Sequence, residues 1–139
     1  MNEPLFSGKC FKASGFLNIT PKDAYQELIS SNVAILDVRK EDYLAFKRFD
    51  VPQVIHIALS EFDTKLNEIP KDIPLIVADS AGIRSKEAML ILIENGYKNI
   101  ANLAGGLVEW ERDGLPLKID ENETLDGACI CQMRTKPKK

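Results

Sequence analysis

The sequence predicts an α/β domain built around a mainly parallel sheet. Three observations carry that prediction: short, continuously apolar runs alternate with amphipathic stretches, a cap or a breaker marks each switch, and no internal repeat interrupts the order. VAILDV, residues 33–38, is too short and too evenly apolar for a surface helix, so it reads as a strand buried on both faces.

Taken in order, LNIT (17–20) is a short extended piece. Thr20 then caps a helix that opens on Pro21, where the missing N–H is harmless, with Ala24, Leu28 and Ile29 on its apolar face and an end near 30–32. VAILDV follows as the second strand, EDYLAFK (41–47) reads as helical, and VIHIAL (54–59) is the third strand. Ser60 caps a short helix through Leu66, and the segment from Pro70 to Pro74 turns the chain into the strand LIVA, 75–78. Gly82 sits in the next turn, and a helix from Arg84 to Glu94 stops at Asn95-Gly96, a good C-terminal signal. NIANL (99–103) supplies another strand, and Gly105-Gly106 with LVEWERDG completes the pattern. Residues 1–16 and 119–139 lack periodicity and read as an arm and a tail flanking a domain over 17–118.

The 139 residues, 45% of them hydrophobic, suit one compact domain. A formal net charge of −3, with both signs spread through the body, offers no basic field for nucleic acid. AMLILI (88–93) falls far short of a membrane span and the N-terminus has no basic-then-apolar leader, so the expectation is a cytoplasmic protein without a membrane partner. Cys10, Cys129 and Cys131 are too few and too near the ends for a disulfide framework. Reduced thiols are expected, and no cofactor.

ILDVR (35–39), DSAGIRS (79–85), LAGG (103–106) with Trp110 four residues on, and GLPL (114–117) together resemble a single-domain rhodanese, the sulfurtransferase-type α/β fold. Each motif alone is weak, but their order and spacing over residues 17–118 make the joint match specific. The resemblance implies a central, mainly parallel five-stranded sheet with helices on both faces, and an active-site loop of pattern Cys-x-x-Gly-x-Arg-Ser after the fourth strand. Such a loop turns backbone N–H groups inward at a helix N-terminus, which stabilises a thiolate or persulfide at its first residue. The thiolate attacks a sulfane sulfur, carries it as a persulfide and passes it to a nucleophilic acceptor. Four residues between the first position and Arg84 fit the sulfurtransferases, whereas the related phosphatases have one more.

Carried over residue by residue, the anion-binding loop is Ser80, Ala81, Gly82, Ile83, Arg84 and Ser85, with Arg84 orienting an anionic donor and Ser85 capping or donating within it. The nucleophile position falls on Asp79. A carboxylate forms no persulfide, and the chain has no cysteine between Cys10 and Cys129, so thiosulfate sulfurtransfer by this loop is expected to be absent. The Gly-His-Ile-Pro-Gly-Ala stretch usual in active rhodaneses appears as FDVPQV (49–54), where only Pro52 is kept. Asp79 has two readings: its carboxylate satisfies the inward N–H groups itself, or it serves as a nucleophile in phosphoryl transfer, which no second carboxylate cluster or metal motif supports.

Three functions follow. The first is a rhodanese-like binding or regulatory module in sulfur-related processes, whose partner is a protein or a small anionic or sulfur-containing ligand. The second is a sulfur carrier, sulfurtransferase or redox protein working through Cys129 and Cys131, with the basic residues Arg134, Lys136, Lys138 and Lys139 lowering their pKa. The third is a soft-metal accessory protein in which Cys10 adds a ligand to the Cys-x-Cys pair, a weak metal signal, and no metal is assigned. His56 reads as a structural histidine, Asp37 and Arg39 as a pair fixing the strand-to-helix turn, and Trp110 as the packing anchor of the last helix.

Overall fold

The computed structural model describes residues 10–13, 15–40 and 46–119. Among these described residues, eight strands and four helices follow in the order β1 (Phe11–Ala13), β2 (Phe16–Ile19), α1 (Pro21–Ser30), β3 (Ala34–Asp37), β4 (Lys47–Phe49), β5 (Val54–His56), α2 (Phe62–Lys65), β6 (Leu75–Ala78), α3 (Arg84–Glu94), β7 (Ile100–Leu103), α4 (Gly106–Arg112) and β8 (Leu117–Ile119). Short 3-10 turns flank α2, Leu59–Glu61 before it and Leu66–Glu68 after it.

The main sheet runs β1-β2-β7-β6-β3-β5. Five of its strands are parallel, as the sequence predicts, and β1 adds an antiparallel edge with Phe11 opposite Asn18 and Ala13 opposite Phe16. That edge strand falls within the stretch read as an arm. β4 and β8 form a separate antiparallel pair, Lys47 opposite Ile119 and Phe49 opposite Leu117. Of the expected helix over 41–47, Lys47 instead opens β4, because its carbonyl accepts from the buried Arg39 and its backbone pairs with β8; residues 41–45 lie outside the described set. Tertiary pairing outweighs local helix preference there.

Strand alternation divides the core into two layers. Ile19, Ile35, Ile76, Ala78, Ala101 and Leu103 face α1 and α4, while Leu36, Leu75, Val77 and Ile100 face α2 and α3. Helix α1 starts where the cap dictates, with the Asp23 N–H donating to Thr20 Oγ1 at 3.3 Å and Pro21 at the first turn. Trp110 closes the first layer: it is fully buried, stands edge-on to Phe49 at 5.2 Å and to Tyr25 at 5.9 Å, and donates from Nε1 to the Pro116 carbonyl at 2.8 Å. One side chain thereby joins α1, α4, β4 and the approach to β8. Trp110→Ala should lower unfolding stability by about 3–5 kcal/mol, against less than about 0.5 kcal/mol for Val108→Ala on the exposed face of the same helix, measured by urea denaturation.

Candidate functional site

Helices leave β6 and β7 toward opposite faces, so the carboxyl ends of these neighbouring strands define the crevice where parallel α/β sheets place ligands. The loop over 79–85 turns across that crevice. Gly82 adopts φ 86°, and a Cβ there would lie 3.1 Å from the Gly105 N. Gly106 is under a harder constraint: at φ 61°, its Cβ would meet the Asp79 carbonyl oxygen at 2.5 Å. Its bareness lets the first turn of α4 donate to the loop, Leu107 N–H to the Asp79 carbonyl at 2.9 Å and Val108 N–H to that of Ser80 at 3.0 Å.

Asp79 is 5% exposed. Its carboxylate accepts from the Gly82 N–H, from the Arg84 N–H at 2.6 Å and from the Ser85 N–H at 3.3 Å. The amide of Arg84, not its guanidinium, meets the carboxylate. Among the described residues neither the Arg84 guanidinium nor the Lys40 ammonium has an ion-pair or hydrogen-bond partner. Both line a cavity of about 430 Å³ in front of the loop, with Val38, Leu59, Ser60, Ser80, Ala81 and Ile83.

The neighbouring strand end holds Asp37 and Arg39 in a buried fork, Nε to Oδ1 at 3.0 Å and Nη2 to Oδ2 at 2.8 Å. Arg39 also donates to the Lys47 carbonyl at 2.9 Å and lies over the Phe49 ring, so the pair ties the end of β3 to β4. His56 Nε2 donates to the Arg39 carbonyl at 2.8 Å, which leaves the imidazole in a structural position.

A buried polar chain supports the loop from behind, and its strand members were not singled out in the sequence. Ser85 Oγ donates to Asn102 Oδ1, Asn102 Nδ2 donates to Asn18 Oδ1 at 2.7 Å, and Asn18 Nδ2 donates to the Phe16 carbonyl at 2.9 Å. The signal was an asparagine inside each of two otherwise apolar strands, a buried polar group that needs partners.

Cys10 stands apart from the loop, half-buried against the layer that holds Trp110. Burial first, then the negative charges of Glu27 and Asp23, push its thiol up to about 11, so it is protonated at neutral pH and a poor nucleophile or ligand. Cys129 and Cys131 lie outside the described residues. Among the described residues no three His, Cys, Asp or Glu side chains converge as a metal site, and no helix is long and apolar enough to cross a membrane.

Fold and site together define an α/β domain with an anion-cradle loop at the carboxyl edge of its sheet. The chain belongs to the rhodanese-like domain family, whose model matches residues 20–113. It is 30% identical over 103 residues to the thiosulfate sulfurtransferase GlpE of Actinobacillus succinogenes, covering 74% of this chain and 91% of that one. A sulfurtransferase of Allochromatium vinosum is 29% identical over 92 residues, covering 66% and 84%. The rhodanese-related protein of Thermoplasma volcanium superimposes with a TM-score of 0.65 at 29% identity, over 73% of this chain and 96% of that one.

Two expectations test this geometry. Gly106→Ala should cost at least ~2 kcal/mol, since it adds a left-handed side chain and a backbone clash, whereas Gly114→Ala, left-handed but with open space around its Cβ, should cost only ~1 kcal/mol in the same denaturant titration. In a Cys129→Ser/Cys131→Ser background, Cys10 should resist iodoacetamide at pH 8, its alkylation rate rising as pH approaches 11 and the thiolate fraction grows.

Proposed function

We propose that this rhodanese-like domain does not transfer sulfur through the loop over 79–85 and works as a binding or regulatory module in sulfur-related processes. One observation carries the reading: the Asp79 carboxylate takes the Gly82, Arg84 and Ser85 amides, which, with Asp79 at the place the sequence resemblance gives to the family's cysteine, would otherwise face a thiolate or persulfide. An oxygen nucleophile there cannot hold a sulfane sulfur, and an incoming anion meets a fixed negative charge. The protonated Cys10 offers no substitute.

The test uses thiosulfate and cyanide. In Asp79→Cys, the same three amides would favour the thiolate, which attacks the sulfane sulfur of thiosulfate; sulfite leaves, a persulfide forms, and cyanide removes the outer sulfur as thiocyanate. Wild-type protein should produce thiocyanate at the uncatalysed rate, and Asp79→Cys should exceed it and carry an added sulfur by mass spectrometry. Wild-type turnover that persists in Cys129→Ser/Cys131→Ser would sink the proposal; turnover abolished by those substitutions would move the chemistry to the tail.

A further inference from the structure

We propose that the cavity in front of the loop binds a small amphiphilic anion, a carboxylate or sulfonate carrying an apolar body. The inference rests on the closed-loop reading above and names the ligand class of the same site. With the backbone amides taken by Asp79, the positive charges left to meet an anion are the side chains of Arg84 and Lys40, which face the cavity and have no ion-pair partner among the described residues. Arg39 and Asp79 also line the cavity, but the Arg39 guanidinium is committed to Asp37 and the Lys47 carbonyl, and the Asp79 carboxylate is turned to the three loop amides, so the anionic head sits at Arg84 and Lys40 and not at the amides.

Size and lining exclude a bare inorganic anion as a good fit. A volume of about 430 Å³ lies within the range of small-molecule pockets, and a five-atom ion would leave most of it to water. The remaining walls are largely apolar: Val38, Leu59, Ala81 and Ile83. Ile83, 72% exposed, adds apolar surface at the cavity rim that a ligand's body could cover. The walls are also set in place, since Val38 N–H donates to the Ala78 carbonyl at 2.9 Å and Leu59 N–H to the Val38 carbonyl at 3.1 Å. Leu59 is thereby held opposite the loop by backbone bonds that continue the sheet register. An anionic head at Arg84 and Lys40 with its chain across Leu59 and Ile83 satisfies both halves of this lining.

The experiment is a titration of isotopically labelled full-length protein, followed by amide NMR shifts, with butanoate, hexanoate, octanoate and hexane-1-sulfonate, and with thiosulfate as the anion lacking a body. Affinity should rise about fourfold per methylene that reaches the apolar wall, with shifts centred on residues 79–85 and 59–60 and hexane-1-sulfonate, whose body is one carbon longer, binding between hexanoate and octanoate. Arg84→Gln should weaken every member of the series about fourfold and keep its slope, because the head loses an exposed charged partner while the wall is intact. Leu59→Ser should flatten the slope. Octanoate binding no tighter than butanoate, shifts scattered over other exposed apolar residues such as Phe11 and Ile119, or an unchanged series in Arg84→Gln would overturn the ligand class while a wild type inactive toward thiosulfate leaves the closed loop standing. Sulfur transfer by the loop of the wild type would overturn both.

Discussion

A carboxylate buried at the end of a central strand must be surrounded by donors, and here those donors exist only because the chain bends as it does after Asp79. Helix α3 opens on Ile83 as its cap residue, which has no side-chain oxygen to offer, so its first N–H groups would be orphaned at a buried helix end. Asp79 supplies the missing acceptor from four residues upstream of that cap, binding the Arg84 and Ser85 amides together with that of Gly82. Charge-assisted bonds of this kind are worth roughly 1.5–3 kcal/mol each, and they add to the favourable field of the helix N-terminus. The carbonyls of Asp79 and Ser80 are in turn held by α4, through the contact that the absent side chain of Gly106 permits. Strand β6 and helices α3 and α4 therefore meet at one residue, which is a structural element of the loop whatever it does chemically.

Two further polar systems set the walls around it. The Asp37–Arg39 fork is buried, and such a pair is costly to break, by roughly 3–5 kcal/mol when one partner is lost, because the other charge is stranded. Its value in this fold lies in reach: Arg39 spans from β3 to the Lys47 carbonyl and so holds a charged, short strand that has little apolar surface of its own. The chain from Ser85 through Asn102 to Asn18 works on the other side, running from the loop to the hairpin of β1 and β2, where Asn18 Nδ2 donates to the Phe16 and Ala13 carbonyls. Alternation explains why it can exist: Asn102 and Ile100 face the α3 layer, while Ala101 and Leu103 face the α4 layer. The edge hairpin and the loop are thus joined through buried amides as well as through the backbone ladder.

The central strands and the long helices were legible because their signals are local. LIVA and the helix over Arg84–Glu94 fall where the apolar run, Gly82 and the Asn95-Gly96 stop place them, and Thr20-Pro21 marks the start of α1 to the residue. The strands that were not legible, β1, β4 and β8, are three residues each, carry little apolar pattern, and owe their form to partners distant in sequence. At the site, Gly82, Arg84 and Ser85 stood out as a motif, but the division of labour at Arg84, amide inward and guanidinium outward, depends on loop curvature that spacing alone does not encode. Asn18 and Asn102 escaped notice because each is a single polar residue in an apolar run, and 84 residues separate them.

On the proposed reading, the consequence of a self-filled nest is a change in how the site recognises charge. A carboxylate fixed to the chain competes for the three amides at the effective concentration of an intramolecular group, so a free anion would have to displace it and also tolerate its charge. Recognition then passes from rigid backbone amides to two long side chains at the cavity rim. Arg84 and Lys40 are partly hydrated and screened by salt, and exposed ion pairs of this kind contribute on the order of 1 kcal/mol or less. They can orient an anion but cannot bind a small one tightly. Affinity has to come from apolar contact, and the cavity supplies that surface in Val38, Leu59 and Ile83, positioned by the same strand ends that hold Asp79.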